Sequence, residues 1–182
     1  NGLENNMARK LHNILITGGA GFIGCNFIHY LFGLSNSGTD LFSDANFTGN
    51  VVNVDCLTYA GNLESLKDVE EKFGGKRYFF EKVDITDRAE IERIFKQYDI
   101  DTVIHFAAES HVDRSILGPE AFMKTNVMGT YTLLDVARKY WNVSLDNPRD
   151  DVLFHHISTD EVYGSLGETG YFLETTPYDP RS

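Results

Sequence analysis

The densest chemistry in the chain is Ser158-Thr159-Asp160-Glu161, two hydroxyls followed by two adjacent carboxylates, directly after the apolar run 153–157. An acid that gives a proton beside a base that takes one is the pair a water elimination requires. Taken alone, two adjacent carboxylates read as a solvated turn. A second motif changes that reading. Thr17-Gly18-Gly19-Ala20-Gly21-Phe22-Ile23-Gly24 joins the apolar run 14–16 to a helix-like stretch and has the form of a pyrophosphate-binding turn. Gly18 allows the turn, Gly21 lets the backbone approach the phosphates, and Gly24 lets the next helix lie close on the sheet. The ligand implied is a dinucleotide; the plainer alternative is a tight strand-to-helix turn that binds nothing.

Three further features follow in the order such a site needs. Asp55 ends the β-branched run 51–54, where it can accept both ribose hydroxyls and repel a 2′-phosphate, favouring NAD over NADP. It lies 31 residues after Gly24, against a usual spacing of roughly 20. The excess falls in the polar, turn-rich stretch 35–50, expected to be an inserted surface loop. With a different alignment Asp55 only caps a strand. Asp84-Ile85 pairs an acid that can bond an adenine amino group with an aliphatic side chain that can pack on the ring. Asp87 beyond it reads as a helix N-cap, and both readings can hold. In His105-Phe106-Ala107-Ala108-Glu109-Ser110-His111, the small residues let a cofactor lie against the backbone at the sheet edge. His111 is either a substrate contact or a solvated loop histidine.

The elements that must position these groups are legible as alternation. Runs at 14–16, 51–54, 78–80, 102–106 and 153–157 read as strands, and helices are expected over 22–32, 63–72, 88–97 and 121–140. Strands alternating with amphipathic helices predict an α/β fold, a Rossmann-type doubly wound parallel sheet. The 182 residues, 42% hydrophobic, suffice for one core. Residues 1–9 read as an extension and 10–182 as the dinucleotide-binding domain, with 164–182 an aperiodic loop. A net charge of −11 and no long basic run exclude a nucleic-acid surface. Cys25 and Cys56 have neither metal-ligand nor disulfide-framework spacing, and no metal site is expected. With no apolar run of membrane length and no leader pattern, the expectation is a cytoplasmic protein without membrane partners.

Together these motifs resemble the extended short-chain dehydrogenase/reductase family, and within it the nucleotide-sugar 4,6-dehydratases, from about Lys10 to Ser182. The resemblance rests on TGGAGFIG, on VDCLTYAGNLESL (54–66), on HFAAESHVDRSI (105–116), on TNVMGT (125–130) and on STDEVYG (158–164). Asp160 discriminates most, because related decarboxylases and GDP-mannose dehydratases typically carry Ser there and epimerases lack the acidic pair. The resemblance implies redox-neutral dehydration of a nucleotide-activated glucose, dTDP-glucose favoured and UDP-glucose the alternative, with hydride stored transiently on tightly held NAD. Glu161 would be the base at C5, Asp160 the acid for the C6 hydroxyl, and Thr159 a partner of the sugar O4, with Ser158 lining the same site. By position Phe22, Ile23, Asp55, Cys56, Leu57, Thr58, Asp84, Ile85, Ala107, Ala108, Ser110 and Thr125 would contact NAD, Cys56 and Leu57 through backbone alone. A homodimer built from helices around 121–140 is implied as well.

The family's Tyr-x-x-x-Lys motif falls due where the sequence stops, at Tyr178-Asp179-Pro180-Arg181-Ser182, and no Lys follows Tyr178 four residues on. The expectation is therefore an inactive N-terminal portion, truncated before the last strands and the C-terminal substrate-binding region. Another sugar-nucleotide activity, epimerase or decarboxylase, and a non-catalytic NAD-binding module are the competing readings.

Overall fold

The five apolar runs pair side by side as an all-parallel sheet in a computed structural model that describes residues 11–34 and 47–181. The strands are β1 (Asn13–Thr17), β2 (Asn50–Val54), β3 (Tyr78–Glu81), β4 (Thr102–His105) and β5 (Leu153–His156), in spatial order β3-β2-β1-β4-β5. β1 is central, with Leu15 opposite Val52 on one side and Val103 on the other. A strand flanked twice and covered on both faces has no surface to offer water, which is why Ile14, Leu15 and Ile16 are all buried.

Alternate residues feed two cores. Leu15, Val52 and Val103 pack with Ile91, Ile94 and Phe95 of α3 (Arg88–Tyr98) and with Leu133, Val136 and Trp141 at the far end of the chain's longest helical region. Ile14, Ile16 and Val51 pack on the opposite face with Ile28 of α1 (Phe22–Leu31) and Val69 of α2 (Lys67–Phe73). Helices on both faces make the sheet doubly wound, as the alternation predicts. Asp87 caps α3 by accepting the Glu90 N–H, and Asp99, left-handed at φ 49°, ends it.

Several boundaries depart from expectation. Residues 63–66 form a 3₁₀ turn, capped by the Asn62 side chain, before α2 begins. Asn50, assigned to the inserted loop, is the first residue of β2; positions 1–9 and most of 35–50 lie outside the described residues. A short helix, α4 (Val112–Leu117), is not foreseen; it buries none of its residues and so carries no amphipathic pattern. The helix expected at 121–140 starts earlier, with Pro119 at its first position. It runs as α5 (Pro119–Phe122), a π-helical stretch Met123–Gly129, and α6 (Thr130–Tyr140). The widened turns serve two contacts: Asn126 reaches the Glu109 backbone, and Lys124 pairs with Asp84 at 3.2 Å.

α3 and α6 are also tied at the surface. Asp135 meets Lys139, Arg88 and Arg138, at 2.8, 2.8 and 3.2 Å, and these partners, Lys139 foremost, lower its carboxyl to about 2. Beneath this tie Phe95 is fully buried between the rings of Tyr140 and Trp141. Phe95→Ala removes the shared core of α3 and α6 and should cost about 3–5 kcal/mol, read as a lower urea midpoint; a loss below about 1 kcal/mol would contradict this packing.

Candidate active site

The glycine turn after β1 is held from both sides. Gly18 adopts φ +70°, and a Cβ there would stand 2.7 Å from the Ala107 nitrogen, so the turn lies directly against the end of β4. On the other side Ala20 donates its N–H to Asp55 Oδ2 (3.1 Å) and accepts the Asn62 N–H (2.9 Å). Asp55 Oδ1 accepts the Leu57 N–H, which holds Leu57 at φ 57°. Gly24 does not serve helix-to-sheet packing as its place in the motif suggests. A Cβ there would meet the Gly18 carbonyl at 2.3 Å, so Gly24 lets the first turn of α1 close onto the glycine turn itself. Gly21, the N-cap of α1, has no side chain to occupy the free N–H groups of that helix end. Bare helix N–H groups beside a cradle a Cβ would block suit an anionic pyrophosphate. Phe22, 84% exposed, and Ile23 stand open beside it.

The other cofactor candidates divide. Asp84 Oδ1 already accepts the Thr86 N–H and hydroxyl, and Oδ2 faces Lys124, so the carboxylate is pre-oriented at the β3 end. Ile85 departs from expectation: its side chain is buried in the core rather than open to a ring, and a Cβ on Gly129 would meet its Cδ1 at 2.4 Å. Only its backbone remains for an adenine. Cys56, Thr58, Ala108 and Ser110 line the same carboxyl edge, Thr125 lies half-buried in the π-helical stretch, and Ala107 abuts Gly18. His111 occupies the N-cap position of α4, exposed, and its ring makes no cap bond.

One buried polar cluster beneath the turn carried no signal in the sequence. His105 shares a 2.6 Å bond with Thr17 Oγ1 through Nδ1 and a 2.9 Å bond with Thr130 Oγ1 through Nε2. Thr17 Oγ1 in turn accepts the Ala107 N–H at 3.3 Å. Burial, and then the nearby His156, push the His105 pKa down to about 4.

The hydroxyl–acid cluster forms a second centre. Thr159 caps a 3₁₀ turn, Asp160–Tyr163, by accepting the Glu161 N–H, and its hydroxyl donates to Asp160 Oδ1, both at 3.3 Å. Ser158, Thr159 and Asp160 line a cavity of about 600 Å³ with Val162, Tyr163, Tyr178 and Pro180. The chain returns to this turn where Asp179 donates its N–H to the Val162 carbonyl. Tyr178 lies 5.5 Å from the Tyr163 ring, and a lone tyrosine in an aperiodic stretch gives no sequence cue to that place. Glu161 is on the same turn outside the cavity lining; His111 and the glycine turn lie along the same sheet edge but outside the cavity. Among the described residues no group of three or more His, Cys, Asp or Glu could hold a metal ion.

A doubly wound parallel sheet with a glycine turn after β1 and an acid after β2 is a Rossmann-type arrangement, shared with solved dehydratases and epimerases. The chain belongs to the GDP-mannose 4,6 dehydratase family, whose model matches residues 15–182. It is 52% identical to the dTDP-glucose 4,6-dehydratase of Salmonella typhimurium over 178 residues, covering 93% of this chain and 45% of that one. The Neisseria gonorrhoeae enzyme of the same name is 51% identical, with the same coverage. Among solved structures, dTDP-glucose 4,6-dehydratase from Bacillus anthracis in complex with NAD superposes with a TM-score of 0.71 at 39% identity, covering 94% of this chain and 45% of its own. The UDP-glucose 4-epimerase of Thermus thermophilus, also in complex with NAD, gives 0.69 at 26%, with 93% and 45% covered. The chain thus spans about 45% of the length of these relatives.

Because His105 is held neutral when folded, the unfolded chain binds more protons between its ordinary pKa of about 6.5 and 4. Stability is therefore full above pH 6.5 and falls toward pH 4, by at most about 3 kcal/mol from this group. His105→Gln should flatten that part of the urea-derived stability profile relative to the parent; parallel profiles would exclude His105 as the source.

Proposed function

We propose that this chain forms the NAD-binding and acid–base portion of a nucleotide-sugar 4,6-dehydratase that acts on dTDP-glucose. The observation that carries the reading is the Thr159–Asp160 pair, lining a cavity on the turn after β5, along the sheet edge that also carries the glycine turn. The dehydratases at about 50% identity support the substrate, and the NAD-bound neighbours support the cofactor. Asp55, placed against the glycine turn, favours NAD over its 2′-phosphorylated form.

Held at the glycine turn and Asp55, NAD would supply the hydride acceptor for C4 of the sugar and the hydride donor for C6. The C4 hydroxyl proton would go to the tyrosine of the family's Tyr-x-x-x-Lys motif, which does not follow Glu161 in this sequence, and the residues of this chain carry the elimination. Glu161 removes the C5 proton, acidified by the C4 ketone, and the electron pair forms the C5–C6 double bond. The C6–O bond breaks as Asp160 gives its proton to the departing hydroxyl, and water leaves. The Thr159 hydroxyl, already turned toward Asp160, positions the sugar O4 beside it. Residues 10–182 then constitute the cofactor domain, with 35–50 an insertion and 1–9 an extension.

The same reading accounts for a surface. Val112, Ile116, Leu117, Val127, Tyr131 and Leu134 are exposed along α4, the π-helical stretch and α6, Leu117 by 89%. An apolar face of that kind suits a second copy of the chain. The free thiols of Cys25 and Cys56 suit a reducing cytoplasm. Among the described residues no helix is long and apolar enough to cross a membrane.

Turnover by the full-length protein with dTDP-glucose and UDP-glucose in parallel, followed as 4-keto-6-deoxy product, tests the function. Product from dTDP-glucose is expected; none from either sugar, with NAD bound, would favour an epimerase, a decarboxylase or a non-catalytic module. Asp160→Asn should lower product formation about a hundredfold or more while reduced cofactor still accumulates, and an unchanged rate would remove Asp160 from its role. Sedimentation at micromolar concentration should show a dimer, and a monomer would refute the proposed face.

A further inference from the structure

Tyr59, Glu109 and Arg114 make a contact that neither core requires. Tyr59 belongs to the loop after β2, whose Asp55 and Asn62 hold Ala20 of the glycine turn. Glu109 and Arg114 belong to the segment after β4, whose Ala107 lies against Gly18. Because β1 sits between β2 and β4, the glycine turn starts between these two segments, and a join between them bridges the two sides of the β1 end. They do join. The Arg114 Cζ stands 3.7 Å from the centroid of the Tyr59 ring, and the Tyr59 hydroxyl donates to Glu109 Oε2 at 3.4 Å.

The second contact is long for an O–H···O bond, so the guanidinium–ring stack is the stronger join. Its two ends differ in stiffness. The Glu109 end is fixed, because the Asn126 side chain accepts its N–H at 2.8 Å and donates to its carbonyl at 2.9 Å. The Arg114 end rides on α4, which buries no residue, and Tyr59 is 53% exposed. An element with so little buried surface can open at low cost. We propose that Tyr59, Glu109 and Arg114 form a strap across the glycine turn that closes over the pyrophosphate of a bound dinucleotide and slows its release. The inference rests on the proposed NAD site. It fits a cycle that returns its cofactor to the starting state at every turnover, in which release serves no step.

The test is a chase experiment on the full-length protein: load labelled NAD, add excess unlabelled NAD, and follow loss of label from the parent, Arg114→Ala, Tyr59→Leu and the double variant. Each single variant should release NAD roughly tenfold faster, and the double variant no faster than the faster single, because both cut one strap. Arg114→Lys keeps a cation over the ring but loses the planar stack, and should release at a rate between the parent and Arg114→Ala. Parental rates in the single variants, or additive effects in the double, would each overturn the strap. A parent that binds no NAD would overturn the dinucleotide site and the strap with it, whereas binding with unaltered release in the variants would overturn the strap alone.

Discussion

The fold and its site both depend on one close approach, that of the Gly18 backbone to Ala107. Without room for a single methyl group between them, the turn after β1 and the segment after β4 are fixed with respect to each other at backbone precision. Everything below enforces that distance. Thr17 accepts the Ala107 N–H, and His105, which pairs with Thr17, also reaches Thr130 on the helix behind. Everything beside it adds a second fixed edge, through Asp55 and Asn62 on Ala20. A crevice built from backbone contacts and short side chains is stiff before any ligand arrives, and stiffness reduces the ordering cost of binding.

The hydroxyl–acid cluster is built on different physics. It occupies a 3₁₀ turn beyond β5, at the edge of the sheet, and its residues are exposed rather than locked in the core. Thr159 stabilises the turn and orients Asp160 through the same hydroxyl, so local structure and chemistry share one atom. Alignment of the two centres comes from the parallel sheet, which delivers the carboxyl ends of β1, β4 and β5 to one edge in register.

Most of this was legible in the sequence because it is encoded by short contiguous signals. The glycine turn, the acid after β2 and the hydroxyl–acid cluster each occupy a few consecutive residues, and the strands between them are continuous apolar runs. What was not legible depends on contacts distant in sequence. Nothing in the local pattern shows that Gly24 closes on Gly18 rather than on the sheet, or that Ile85 turns into the core beneath Gly129. The partners of His105, the grip of Asn126 on Glu109 and the Tyr59–Arg114 stack join positions far apart in the chain. The π-helical stretch is equally silent, since its residues keep a helical pattern while the turns widen to reach those partners.

The bond between Asp179 and the Val162 carbonyl has a bearing on how such a site can change over generations. It closes the stretch from 164 to 178 into a loop whose ends are fixed while its middle carries no helix or strand. The entropy of closing such a loop grows only slowly with its length, by about 0.6 kcal/mol per doubling. Insertions and deletions there can reshape one wall of the cavity, including the place of Tyr178, while the turn bearing Asp160 and Glu161 stays put. The far wall of the cavity and the turn that carries the two carboxylates are thereby separately variable parts of one surface.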